Sequence, residues 1–123
     1  MSEPTTAAAP QPGTTVVRRY ASVIGLRPEH AEEYLGLHAA VWPGVLATIT
    51  ACNIRNYSIY RHGDLLFSYY EYVGSDYEAD MARMAEDPET QRWWDVCKPC
   101  QLQTPDVRPG EWWTAIPEVF HQD

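Results

Sequence analysis

The pattern of apolar and polar positions divides the chain into strand-like and helix-like stretches. Residues 16–24 read Val-Val-Arg-Arg-Tyr-Ala-Ser-Val-Ile, rich in β-branched side chains and bounded by Gly25, which predicts a strand. Pro28 then suits a first helical turn, and Glu29, Glu32 and Glu33 favour the positive end of a helix dipole. Leu35, His38 and Val41 or Trp42 recur at about a 3.6 period beside Tyr34. A residue before proline disfavours the α conformation, so the helix should break at Trp42-Pro43 and resume after it.

Residues 54–61 and 65–73 are two more strand-like runs, joined by His62-Gly63-Asp64, a link of hairpin type. Ser75-Asp-Tyr-Glu78 has the form of a capping box, with Tyr77, Met81, Met84 and Ala85 following on one helix face. Asp87-Pro88 looks like a second helix start, opening a helix that carries residues 91–96. After a Pro/Gln-rich loop, residues 112–120 are the last predicted strand, with Pro117 marking an edge or a bulge. The order β-α-β-β-α-β predicts an α+β, ferredoxin-like fold with a four-stranded antiparallel sheet.

Large side chains occupy both faces of residues 65–73: Leu65, Phe67 and Tyr69 on one, Leu66, Tyr70 and Tyr72 on the other. Helices in this topology cover one face only. A second copy packed sheet to sheet would cover the other, so the pattern predicts a homodimer.

Composition narrows the possible partners. Residues 1–15 hold hardly any large apolar side chain and are expected to form a disordered tail, leaving residues 16–123 as one domain. The tail has neither the basic start nor the apolar core of a secretory signal, and no later run approaches a membrane span, which predicts a soluble, cytoplasmic protein. A net charge of −8 argues against nucleic acid and anionic membranes as partners and favours a neutral ligand. Of the aromatic residues, five Trp and eight Tyr outnumber two Phe, so most rings carry a polar group that suits a sugar site or an interface.

Three cysteines do not make a disulfide framework. Cys97-Lys-Pro-Cys100 has the spacing of a redox or half-zinc motif, but the surrounding order of elements is not that of a thioredoxin, and neither a second CxxC nor a paired His is present. Buried or loop thiols are the simpler reading. His30 has no obvious acidic partner, His62 and His121 should face solvent, and Trp112-Trp113 should pack against the sheet or a dimer partner.

Tyr34 and His38 stand four residues apart and should share one helix face, placing a phenol beside a proton-transfer group. With Glu33, Trp42-Pro43, Asn56-Tyr57-Ser-Ile-Tyr60, Leu65-Leu-Phe67, Gln91-Arg-Trp-Trp94 and Glu118-Val-Phe120, they make a pattern that resembles the L-rhamnose mutarotase family over residues 18–120. The chain departs from that pattern at Ala39-Ala-Val41 and Gly44, in its N-terminal tail and in the Cys97–Cys100 motif.

The resemblance implies a dimeric α/β barrel that interconverts the α and β anomers of L-rhamnose or a related deoxyhexose. It also implies His38 as proton donor, Tyr34 and Tyr57 as substrate-binding tyrosines, and Trp93 and Trp94 as the tryptophan pair at the sugar. Mutarotation opens a hemiacetal and closes it on the other face of the aldehyde, which needs acid-base groups but no metal, redox cofactor or covalent intermediate. A histidine with an ordinary pKa of about 6.5 suits this near neutrality, and His38 is expected to deliver its proton to the ring oxygen. Adjacent residues diverge on a helix, so one of Trp93 and Trp94 should line the site more closely and the other pack. Dimeric ferredoxin-like barrels also host haem-degrading and cofactor-free monooxygenases, and a non-catalytic sugar-binding dimer is a third possibility.

Overall fold

The computed structural model describes residues 16–123, so the expected tail, residues 1–15, lies outside the described residues. Strand β1 (Arg18–Leu26) runs antiparallel to β3 (Leu65–Tyr72), which in turn pairs with β2 (Ile54–His62). The other edge of β1 is shared by two short strands, β4 (Gln101–Leu102) and β5 (Thr114–Ile116). The path β2-β3-β1-β4 is the ferredoxin-like order expected from the element sequence.

The fourth strand position differs from the expectation of one run over residues 112–120. Only three residues of that run join the ladder, and Gln101–Leu102, read from sequence as loop, supplies the rest of the edge. The Gln103 amide donates to the carbonyls of Glu111 and Trp112 at 3.0 and 3.2 Å, so that part of the backbone is satisfied by a side chain instead of a strand. Gly25 permits the β1–β4 approach, because a Cβ there would sit 2.6 Å from the Leu102 carbonyl oxygen.

The hairpin between β2 and β3 closes from His62 to Leu65, with Gly63 at φ +58°, a conformation glycine adopts without steric cost. Earlier in β2 the register shifts between Arg55 and Ser58, and Asn56 takes a left-handed φ of +51°. Strict alternation from Ile54 would put Asn56 and Ser58 on its face of the sheet. The extra residue instead aligns Ile54, Tyr57 and Ile59, because a one-residue bulge exchanges the faces of everything after it.

All four α-helices lie on the face carrying Ile24 and Leu66, a register pair buried to 0 % and 1 % exposure. Burying side chains of this size stabilises by about 1.5–3 kcal/mol each. Helix α1 (Ala31–Ala39) follows a 3-10 turn at Pro28–His30, and α2 (Pro43–Ala51) opens on the expected proline, turned by 73° from the segment before it. Among the described residues no single helix is long and apolar enough to cross a membrane.

Helix α3 (Tyr77–Glu86) is capped by Asp76, whose carboxylate accepts from the Ala79 amide at 3.1 Å. Ser75 was the expected cap. The two neighbours are equally good caps in sequence, and the backbone places the aspartate at the helix entrance. Asp87 caps α4 (Pro88–Cys97) as expected, accepting from both the amide and the hydroxyl of Thr90.

Candidate functional site

A cavity of about 370 Å³ lies between the curled sheet and the helices, within the range typical of small-molecule sites. Each sequence-predicted site residue borders it: Tyr34 and His38 from α1, Tyr57 from the β2 bulge, Trp93 and Trp94 from α4. His38 and Tyr57 also border an adjoining hollow of about 480 Å³ between α2 and β2.

The imidazole of His38 is held on three sides. It stacks on the Tyr34 ring at 4.1 Å between centroids, meets Trp93 edge to face at 5.1 Å, and hydrogen-bonds through Nδ1 to the Tyr34 carbonyl at 2.9 Å. A carbonyl oxygen only accepts, so Nδ1 carries a hydrogen, and in the neutral ring Nε2 holds a lone pair. Among the described residues no protein group takes that nitrogen. Burial lowers the His38 pKa below the ordinary histidine value, against the opposing effect of the Tyr34 carbonyl. The ring is therefore neutral near pH 7.

The tyrosines are tuned the other way. Tyr34 is 2 % exposed, and burial raises its pKa well above the usual phenol value. Tyr57 keeps 43 % of its surface open, yet burial around it pushes its pKa up to about 12. Both phenols remain protonated at neutral pH, so each carries a hydrogen it can donate.

Trp93 is 7 % exposed and also packs edge to face on Trp42 at 5.1 Å, so the residue at the helix break supports the ring that supports His38. Trp94 is half-buried, with the Lys98 amine 5.5 Å from its ring centroid. Both tryptophans border the cavity, Trp93 the more tightly packed and Trp94 the more open of the two.

The family profile of L-rhamnose mutarotase matches residues 19–122. The L-rhamnose mutarotase of Phocaeicola vulgatus is 32 % identical over 109 residues, covering 87 % of this chain and 100 % of that protein. The chain belongs to the L-rhamnose mutarotase family. Members of this family are isomerases. An L-fucose mutarotase of Xanthomonas campestris is 37 % identical over 82 residues, 65 % of each chain. In fold, the crystal structure of an L-rhamnose mutarotase from Formosa agariphila superposes with a TM-score of 0.65 at 21 % identity, covering 86 % of this chain and 99 % of that one.

Within this mutarotase-family cavity stand residues that sequence reasoning did not assign to it. Trp112 and Trp113, expected against the sheet or a partner, line it, as do Gln101 and Lys98. The Trp112 indole donates to Gln101 Oε1 at 2.6 Å, and Gln101 Nε2 donates to the Tyr34 hydroxyl at 3.2 Å. The signal was present in the aromatic pair and the glutamine-rich segment. Assigning the first to a strand and the second to a loop hid their convergence.

The CxxC cysteines are free and buried, on the last residue of α4 and the 3-10 turn after it. Burial pushes Cys97 up to about 12 and raises Cys100 also, the reverse of a reactive thiol. His30 does have an acidic partner, Glu33, at 3.2 Å one helical turn away. His30, Glu33 and Cys100 offer donor atoms within 4.8 Å of one another, and none of the three borders the cavity.

Proposed function

We propose that the chain interconverts the α and β anomers of a free 6-deoxyhexose, L-rhamnose or a close relative such as L-fucose, with His38 as the proton-transfer residue. The observation that carries this reading is the His38 ring, clamped through Nδ1 and leaving Nε2 open at a cavity of sugar-binding size. Tyr34 and Tyr57 bind sugar hydroxyls, and Trp93 and Trp94 supply flat apolar surface to the ring.

The lowered His38 pKa favours an order of transfers opposite to the one expected from sequence. The neutral imidazole first accepts the anomeric O1 proton at Nε2. The C1–O5 bond then breaks, leaving an aldehyde at C1, and the imidazolium delivers that proton to O5. Both oxygens are bonded to C1, so one nitrogen reaches both and no second base is required. Rotation about C1–C2 and the reverse transfers close the other anomer.

The outer sheet face supports a homodimer. Tyr60 is 64 % exposed and Leu65 39 %, with Phe67 beside Tyr60 in register and Ile116 at 36 % on β5. Such an apolar face is suited to a second copy packed against it.

The decisive experiment is NMR exchange spectroscopy on equilibrated L-rhamnose, L-fucose and other free sugars, with wild type beside His38→Ala. Faster exchange with wild type, reduced roughly 10²- to 10⁴-fold in the variant, is expected. No acceleration for any sugar would overturn the reading, and retained acceleration in the variant would remove His38 from its role.

A further inference from the structure

We infer that Gln101 is a positioning residue that turns the Tyr34 hydroxyl hydrogen toward the substrate, and that Trp112 sets the direction of the Gln101 amide. The inference rests on the mutarotase reading above. A glutamine amide has one accepting and one donating end, and either could face the tyrosine. The Trp112 indole N–H only donates, and it lies 2.6 Å from the outer end of that amide, so the oxygen must point to Trp112. The NH₂ end then faces Tyr34 and donates to its hydroxyl oxygen at 3.2 Å. With that oxygen already accepting from the protein, the phenol's own hydrogen is left for another acceptor, and the ring borders the cavity.

Burial makes the arrangement consequential. Gln101 is 5 % exposed and Tyr34 2 %, so a reversed amide would set its NH₂ against the Trp112 N–H, two donors facing each other where water cannot compensate, and would let the Tyr34 hydroxyl donate to the amide oxygen instead of to the cavity. The two residues lie 67 positions apart, and β4 is anchored by its pairing with β1 at Gly25 and Leu26. The short strand thus holds Gln101 in place beneath α1. Trp112 is itself steadied by the Lys98 amine, 5.2 Å from its ring centroid. During ring opening negative charge moves from O1 to O5, and a phenol aimed at these oxygens stabilises it without changing its own protonation state.

The test uses a substitution of the same shape and reversible polarity, Gln101→Glu. As a neutral carboxyl it reproduces the amide, its O–H donating to Tyr34 and its carbonyl accepting from Trp112. As a carboxylate it accepts from both, drawing the Tyr34 hydrogen away from the cavity. The ratio of kcat/KM to wild type is therefore expected within about twofold at low pH and to fall about tenfold as the carboxyl ionises. The surrounding titratable groups are Tyr34 and His38 on α1, Tyr57 on β2, Cys97 on α4, Lys98 and Cys100 in the 3-10 turn, and Glu111 next to Trp112. All are common to both proteins, so the ratio isolates the new carboxyl. Trp112→Phe, which keeps the ring and loses the N–H, should lower kcat/KM several-fold with no new pH limb.

A Gln101→Glu ratio that is flat with pH would overturn the inference, as would a folded variant inactive throughout. If that variant does not fold, wild-type kcat/KM in Trp112→Phe overturns it instead. Each of these outcomes leaves the mutarotase reading standing. Only a wild type that accelerates no anomer exchange removes both.

Discussion

His38 donates its Nδ1–H to the carbonyl of Tyr34, one turn earlier in the same helix, at 2.9 Å. That bond fixes which histidine nitrogen is free. The tautomer of His38 is thus set within its own helix, by a carbonyl one turn away.

The consequence for pH is signed. In the proposed mechanism the neutral His38 is the competent form, and burial lowers its pKa, so the acid limb of kcat/KM for mutarotation should inflect below about 6.5, the ordinary histidine value. Activity is expected to be full at neutrality and to fall on acidification. Stability follows the same sign: the neutral ring's contribution is fully present above the unfolded pKa and is lost as pH falls through the lower folded one. An acid limb above 7 would contradict the assignment. A pH–rate series by NMR, paired with denaturant melts of wild type and His38→Gln, measures both.

Asn56 sets the direction of Tyr57. Its φ of +51° suits Asn or Gly, and its side-chain amide donates to Glu71 at 2.7 Å on the outer face. Asn56→Gly should keep the bulge and near-normal KM. Asn56→Val should cost about 1–2 kcal/mol in denaturant unfolding and raise KM, since a β-branched residue resists this conformation and favours a register that turns Tyr57 outward. Equal KM for the two variants would mean that the bulge does not place Tyr57 for binding.

The outer sheet face should hold two copies together. Sedimentation equilibrium at micromolar concentration is expected to give a dimer for wild type and a monomer for Phe67→Glu, which sets a charge beside Tyr60 on that face. A wild-type monomer would defeat the prediction.

The Cys97 and Cys100 thiols should be inert. With Cys100 at 0 % exposure and Cys97 raised to about 12, a thiol-specific disulfide reagent is expected to react with neither in the native protein, and with all three cysteines after unfolding. Fast native reaction of the pair would restore the redox reading.

The periodic stretches were legible because their signals are local. The break at Trp42-Pro43 and the cap at Asp87 depend on a few neighbouring residues, and both stand where the sequence places them. Tyr34 and His38 were brought to one face by helical spacing alone. The cap at Asp76 instead of Ser75, and the pairing of His30 with Glu33, turned on single-residue shifts and rotamers that a pattern does not resolve.

Sequence by itself determined the α+β order, the helix carrying His38 and, through its motifs, the mutarotase family. The tertiary structure decided which way those parts face. Tyr57 reaches the cavity because one added residue in β2 reverses strand parity. Gln101 and Trp112 reach it because β1 pairs with a two-residue strand and leaves both tryptophans of the last segment off the ladder. Side-chain period and capping are properties of neighbours along the chain, whereas bulges, edge pairing and a buried hydrogen-bond chain depend on what lies across the sheet.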